Sequence, residues 1–204
     1  MKKATILFLT FIIIPIFTIA QSIDNLDYIS PFHDDLAAIK KDKKWAFIDN
    51  KGNLIIDFRT DLKTTKNKDG EYPIFYNNRC KITAIKAGVS YFGFIDKSGK
   101  TIIEPQFLNS SNFNEGTAIA LELDKEIIAK NTALEKDVVN YRYFEVLIDT
   151  HGKTTHYLTQ DGVNIVLDKD FLRAVPPITS KQITKNLYAV KNKRNSWNII
   201  NTKE

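Results

Sequence analysis

The sequence predicts an all-β fold of stacked three-stranded antiparallel meander repeats, and three observations carry that expectation. A short strand-and-turn text recurs four times along the chain. Phe (13) and Tyr (8) are plentiful and β-branched residues recur throughout, a mix that suits pleated, half-buried strands. A single cysteine cannot form an intrachain disulfide, so 204 residues must be held by packing alone.

Residues 1–20 read as a secretory signal peptide. Lys2 and Lys3 open an uncharged run from Ala4 to Ala20, which closes on the small-x-small text Thr18-Ile19-Ala20. The run is 17 residues, short of the roughly 20 that cross a bilayer, and Pro15 interrupts it. The expectation is cleavage after Ala20, release to the periplasm or exterior, and no stable membrane insertion afterwards. The remaining chain, 21–204, reads as one domain. It carries 27 Lys and Arg against 24 Asp and Glu. That excess is too small and scattered for a nucleic-acid partner.

The recurring text begins with Trp45-Ala46-Phe47-Ile48-Asp49-Asn50-Lys51-Gly52 and returns as Phe92-Gly93-Phe94-Ile95-Asp96-Lys97-Ser98-Gly99. It returns again as Glu145-Val146-Leu147-Ile148-Asp149-Thr150-His151-Gly152, and last as Trp197-Asn198-Ile199-Ile200-Asn201-Thr202-Lys203-Glu204. The Asp/Asn positions lie 47, 53 and 52 residues apart. The first and third residues of each strand share one face, and the Ile lines the other. Asp followed three residues later by Gly fits a type I turn, the carboxylate accepting from backbone N–H groups and Gly taking the left-handed end. Apolar runs then return, Leu54-Ile55-Ile56 and Thr101-Ile102-Ile103, so each copy is a hairpin.

An anchor residue, a polar turn and a small-residue strand precede each hairpin: Phe32 to Ile39, Phe75 to Ile82, Phe113 to Ala120, and Ile183 to Val190. Added to the hairpin, this element completes a meander. The repeats span approximately 32–58, 75–107, 113–158 and 183–204. They stack either as a solenoid or as an open barrel-like wall.

At these residues the chain resembles the WG-repeat family, whose strand and turn read W-G-[FY]-I-D-x-x-G. The second copy is most similar, running on through Thr101-Ile102-Ile103-Glu104-Pro105-Gln106-Phe107 to Phe113-Asn114-Glu115-Gly116-Thr117-Ala118. No copy holds the Trp-Gly pair itself, the third has Glu145 at the aromatic position, and the last lacks the turn Gly and a return strand. The resemblance implies a β-repeat scaffold and no defined reaction.

Insertions separate the copies. Arg59 to Pro73 is polar and Lys-rich and reads as a mobile surface loop. Leu123 to Asn140 reads as one inserted amphipathic helix, with Ile127, Leu134 and Val138 near one face. Asp161-Gly162 suggests an extra hairpin, and Pro176-Pro177 a loop.

Chemical signatures are sparse. His33, His151 and His156 stand apart, with no metal-ligand spacing. Asp34-Asp35 falls on a turn, and Asp49, Asp96 and Asp149 are accounted for by turn capping. Glu122 and Asp124 form a second acidic pair, of a kind that could do general acid/base work if the two pKa values were pushed apart. Lys40, Lys41, Lys43 and Lys44 read as a solvated hairpin, and Cys80 as a small, half-buried strand residue. Trp45, Tyr91, Phe92, Tyr143 and Trp197 read as the shared core between repeats, or as a sugar-stacking strip.

No catalytic, metal or cofactor residue is assigned. The expected function is an exported, non-catalytic binding or scaffold protein, its partner another protein at the cell envelope. The alternative is a module binding carbohydrate or envelope polymer, and a hydrolase hidden in the insertions is a further rival. N-terminal sequencing of the exported form is expected to begin at Gln21. Full-length protein recovered from the membrane with Met1 or Lys2 at its N-terminus would contradict export.

Overall fold

The computed structural model describes residues 23–131 and 136–203. Among them every regular element is a strand. The first sheet runs in order β1 (Tyr28–His33), β2 (Leu36–Lys41), β3 (Lys44–Asp49), β4 (Leu54–Arg59). A small hairpin follows, β5 (Thr65–Asn67) with β6 (Gly70–Tyr72). The second sheet is β7 (Cys80–Lys86), β8 (Val89–Ile95) and β9 (Thr101–Phe107). In the third, β10 (Thr117–Asn131) pairs β11 (Lys136–Asp149), which pairs both β12 (Thr154–Tyr157) and β13 (Val163–Ile165). The fourth is β14 (Lys181–Thr184), β15 (Leu187–Lys191) and β16 (Trp197–Asn201). Every pairing of strands is antiparallel and none of these sheets closes into a barrel.

The repeated Asp does the same work in each copy. Asp49 Oδ1 accepts from the Lys51 and Asn53 amides at 2.9 and 2.8 Å. Asp96 Oδ1 accepts from Ser98 and Lys100 at 2.9 and 3.1 Å, and Asp149 Oδ1 from His151 and Lys153 at 2.9 and 3.0 Å. Gly52, Gly99 and Gly152 close the turns at φ of 81°, 83° and 84°, which an L side chain rarely adopts. The side-chain bond from Asn53 holds the Asp49 carboxyl below the usual carboxylate range.

The sheets stack by one rule. Call the face holding the first and third strand residues the leading face, and the other the trailing face. Leu36, Ala38, Trp45, Phe47 and Ile56 on the leading face of the first sheet pack against Cys80, Ile82 and Ile95 on the trailing face of the second. Phe94, Ile103 and Phe107 then lead onto Ala118, Ala120, Val146 and Ile148 of the third sheet. Ile119 and Leu147 lead in turn onto Tyr188 and Val190 of the fourth. In the first two seams the incoming anchor meets the strand aromatic edge-on. Phe75 lies 4.8 Å from Phe47 at 64°, and Phe113 lies 4.8 Å from Phe94 at 69°.

Three expectations are corrected. Leu123 to Asn140 is not a helix: β10 and β11 form a long ribbon, paired from Thr117↔Asp149 to Asn131↔Lys136 with one register shift between Ile127 and Ala129. Ile127, Ile128, Val138 and Val139 are β-branched and suit strands, and Leu121-Glu122-Leu123-Asp124 alternates with period two. Arg59 to Pro73 is not a free loop. Leu62 and Tyr72 are buried in the first seam, and Tyr72 ends the β5–β6 hairpin that follows Leu62. Asp161-Gly162 does not turn a hairpin either. It joins β12 to β13, and both pair with the same strand, β11. The signal-peptide residues 1–20 lie outside the described residues.

The second copy shows why its strand carries Gly. A Cβ at Gly93 would collide with the Ile103 carbonyl and lie 2.6 Å from the Pro105 nitrogen, because β9 bends back across that face. Phe94, 1% exposed, packs on the opposite face. Phe94→Ala is expected to cost about 3–5 kcal/mol, Gly93→Ala about 1–3 kcal/mol by overpacking, and Asp96→Ala about 1 kcal/mol. His151→Ala, an exposed turn residue, should leave the midpoint almost unmoved. Urea denaturation of the four variants gives the order, and an Asp96→Ala loss larger than that of Phe94→Ala would contradict it.

Candidate functional site

The stacking rule leaves one leading face uncovered among the described residues. On the first two sheets the leading aromatics are buried, Trp45 at 8% exposure and Phe92 at 3%. On the fourth sheet the equivalent positions are open: Trp197 is 46% exposed and Ile199 is 62% exposed. Leu187 and Ala189 lie beside them on the same face, half-buried. The trailing side of this sheet is the part that holds it in place, through Tyr188 and Val190 in the third seam. Tyr188 also bonds its hydroxyl to Thr117 Oγ1 at 2.9 Å.

This face is also the basic end of the molecule. Lys181 and Lys191 set their ammonium groups 5.4 and 5.3 Å from the Trp197 ring centroid, within the range of cation–π attraction. Residues 181–204 hold six Lys and Arg against one acid, Glu204, whereas residues 4–180 hold 21 basic against 23 acidic. The modest overall excess of 29 basic over 24 acidic residues hides this segregation. A cleft of about 820 Å³ opens beside it, between the third and fourth sheets, with Lys191, Lys193 and Arg194 along one wall and Tyr143, Leu158 and Pro177 among its lining. Lys193 reaches across to Asp161 at 2.9 Å, an exposed pair of small energetic weight.

Glu145 forms the floor of this arrangement. It stands where the other copies carry an aromatic residue, is 4% exposed, and accepts three hydrogen bonds from the incoming connection. Thr179 N and Oγ1 donate to Oε1 at 2.7 Å each, and Ser180 N donates to Oε2 at 2.8 Å. A buried carboxylate is tolerated because those donors replace its hydration. Its backbone carbonyl takes Leu158 N at 2.8 Å and Thr159 N at 3.3 Å. The third copy is therefore broken in its return strand, between β12 and β13, while β10 and β11 stay in register across Leu121↔Glu145.

The residues singled out by sequence do not converge. His33 ends β1, with Nε2 3.4 Å from the Tyr72 hydroxyl. His151 is in the third turn, and His156 is on β12 opposite Leu147. Asp34 and Asp35 make the β1–β2 turn at positive φ, and Asp42 and Lys43 make the β2–β3 turn within the basic run. Lys40 lies over Trp45 at 5.4 Å. Asp124 pairs with Arg142 at 2.8 Å, and Glu122 accepts from Thr154 at 3.2 Å. Cys80 is fully buried rather than half-buried, and burial pushes its thiol up to about 12, away from reactivity. Tyr143 is buried, Tyr91 is half-buried with Lys86 5.5 Å over its ring, and of the five aromatics only Trp197 is open to a ligand.

Sequence reasoning passed over Lys81. Burial pushes its ammonium down to about 8, and it donates to the Ser110 carbonyl at 3.4 Å. Its place between the second and third sheets, one residue from Cys80, gave no pattern that marked it. Sequence reasoning also missed the charge segregation of residues 181–203, which counting by repeat would have found.

Residues 25–45 and 92–125 match the family model of the WG containing repeat. The first match covers β1, β2 and the start of β3. The second runs from Phe92 in β8 through the turn and β9 into β10. Comparison with curated proteins and with solved structures returned no match.

Proposed function

We propose that this WG-repeat chain is an exported, non-catalytic binding or scaffold protein whose partner is another protein of the cell envelope or exterior. The observation that carries the reading is the open leading face of the fourth sheet. Trp197 and Ile199 occupy positions that the preceding sheets bury, and an exposed Trp beside an aliphatic residue, with polar groups around it, suits the apolar centre and polar rim of a protein contact. The repeated polar residues support a scaffold role: Asp49, Asp96 and Asp149 each spend Oδ1 on amides of their own turn. Export rests on Lys2, Lys3, the apolar run and Thr18-Ile19-Ala20.

A second reading has one specific observation behind it. An exposed Trp with flanking cations also suits stacking on the sugar rings of an acidic envelope polymer. The two readings separate in one experiment. Mature wild type and a Trp197→Ala, Ile199→Ser variant are used to capture protein from envelope extracts and to probe a glycan array. Both side chains lie outside the seams, so the variant should keep the wild-type melting temperature. The protein-partner reading expects a protein retained by wild type and lost from the variant, with an empty array. Array binding that vanishes in the variant, with no protein retained, would replace it by the polymer reading.

A further inference from the structure

The third seam does not close. In the first two sheets a ring holds the first position of the strand text, Trp45 at 8% exposure and Phe92 at 3%. Glu145 holds that position in the third, and a carboxylate fills less space than a ring. The cleft of about 820 Å³ lies there, between the leading face of the third sheet and the trailing face of the fourth. Small-molecule sites occupy about 300–1,000 Å³.

Both walls of the cleft are fixed. One is the connection from β12 to β13. Leu158 N and Thr159 N donate to the Glu145 carbonyl at 2.8 and 3.3 Å, and Glu145 N donates to Thr159 Oγ1 at 3.0 Å. A Cβ at Gly162 would come within 2.8 Å of Arg142 Cδ and 2.9 Å of Phe144 Cζ, so the far end of the connection runs hard against β11. The other wall is the β15–β16 turn. Asn192 Oδ1 accepts from Arg194 N and Ser196 N at 3.0 Å each. This cap is a neutral carboxamide, so the turn adds Lys193 and Arg194 to the wall and no acid. Lys191 is engaged elsewhere, with Asn195 Oδ1 at 2.7 Å and over the Trp197 ring.

Three groups are left for a ligand. Tyr143 lines the cleft at 9% exposure, and its hydroxyl makes no hydrogen bond among the described residues. Burial and the Glu145 charge push its pKa up, so it keeps its proton and donates. The Arg194 guanidinium has no partner among the described residues either. Glu145 has three bonds from Thr179 and Ser180 on roughly four acceptor positions, and the remaining one suits a hydroxyl. A purely apolar ligand would leave Tyr143 unpaired, and a purely anionic one would meet Glu145. A hydroxylated ring with one acid group satisfies all three.

We propose that the third seam binds an acidic sugar unit, its carboxylate on Arg194 and Lys193 at the mouth and its hydroxyls on Tyr143 and Glu145 inside. The site is separate from the Trp197 face and does not rest on the protein-binding reading.

The test is a chemical-shift titration of the nitrogen-15-labelled mature chain with glucuronate at low ionic strength. Glucose keeps the hydroxyls without the acid, and cyclohexanecarboxylate keeps the ring and the acid without the hydroxyls. Glucuronate should shift the amides of Thr159 to Gly162 and of Asn192 to Asn195 saturably, and both controls should bind at least tenfold more weakly. Arg194→Gln, in an exposed turn, should weaken glucuronate about tenfold or more, and Tyr143→Phe about two- to tenfold. Asp161→Asn frees Lys193 from its 2.9 Å pair. It should tighten binding about two- to fivefold, the weight of an exposed ion pair, a gain that a damaged fold does not give. A trimer of the same uronate that binds at least tenfold tighter supports the proposal with a polymer as the source, and equal affinity supports it with the free sugar. No saturable shift at the two walls, a control that binds as well as glucuronate, affinities unmoved by Arg194→Gln and Asp161→Asn, or an oligo-aspartate peptide that binds there more tightly than glucuronate would overturn it.

Discussion

The architecture depends on an aromatic contact made between repeats rather than within them. The central strand of one sheet presents Phe47 or Phe94, and the next repeat brings an anchor ring, Phe75 or Phe113, edge-on to it at 4.8 Å. Such ring pairs contribute about 0.5–1.5 kcal/mol beyond the area they bury, and burying the rings themselves contributes more. A three- or four-stranded sheet with one side wet cannot cover its own apolar face, so it is stable only when a neighbour covers it. The anchor residue sits a few residues before the first strand of its own repeat.

Departures from that contact explain the rest of the molecule. At the third seam the leading strand offers Glu145 and Leu147 in place of an aromatic pair. The fourth repeat's anchor, Ile183, is 53% exposed. The connection through Ile178, Thr179 and Ser180 takes over, by burying Ile178 against the seam and by donating three hydrogen bonds to Glu145. The same connection reaches back along the side of the stack, where Leu167 and Leu172 pack with Val89, Leu108 and Tyr143. Polar stapling and a long strap replace the ring pair. Among the described residues the fourth sheet is thereby held by its trailing face alone, and its leading face is left exposed.

Much of this was legible in the sequence. The strand-and-turn text located β3, β8 and β11, because an apolar triplet followed by Asp and then Gly admits few geometries, and it located β16 by a similar apolar run followed by Asn201. Phe75 and Phe113 could be named as anchors from their spacing. The ribbon of β10 and β11 was misread because Ile127, Leu134 and Val138 satisfy a helical spacing, while the period-two text at Leu121 to Asp124 was given less weight. The burial of Leu62 and Tyr72 was hidden by the lysines around them. The strap was hidden because one carboxylate, Glu145, makes it possible, and its partners lie 34 and 35 residues away. The open face at Trp197 could not be read at all from a repeat that matches the others at that position.

A double-mutant cycle on Phe94 and Phe113 tests the ring contact most directly. Urea midpoints of Phe94→Leu, Phe113→Leu and the pair are measured under conditions where all three fold. The account predicts a coupling of about 0.5–1.5 kcal/mol between the two sites. Additive losses within about 0.3 kcal/mol would mean that the rings only fill space independently, and that the seam is held by something other than their contact.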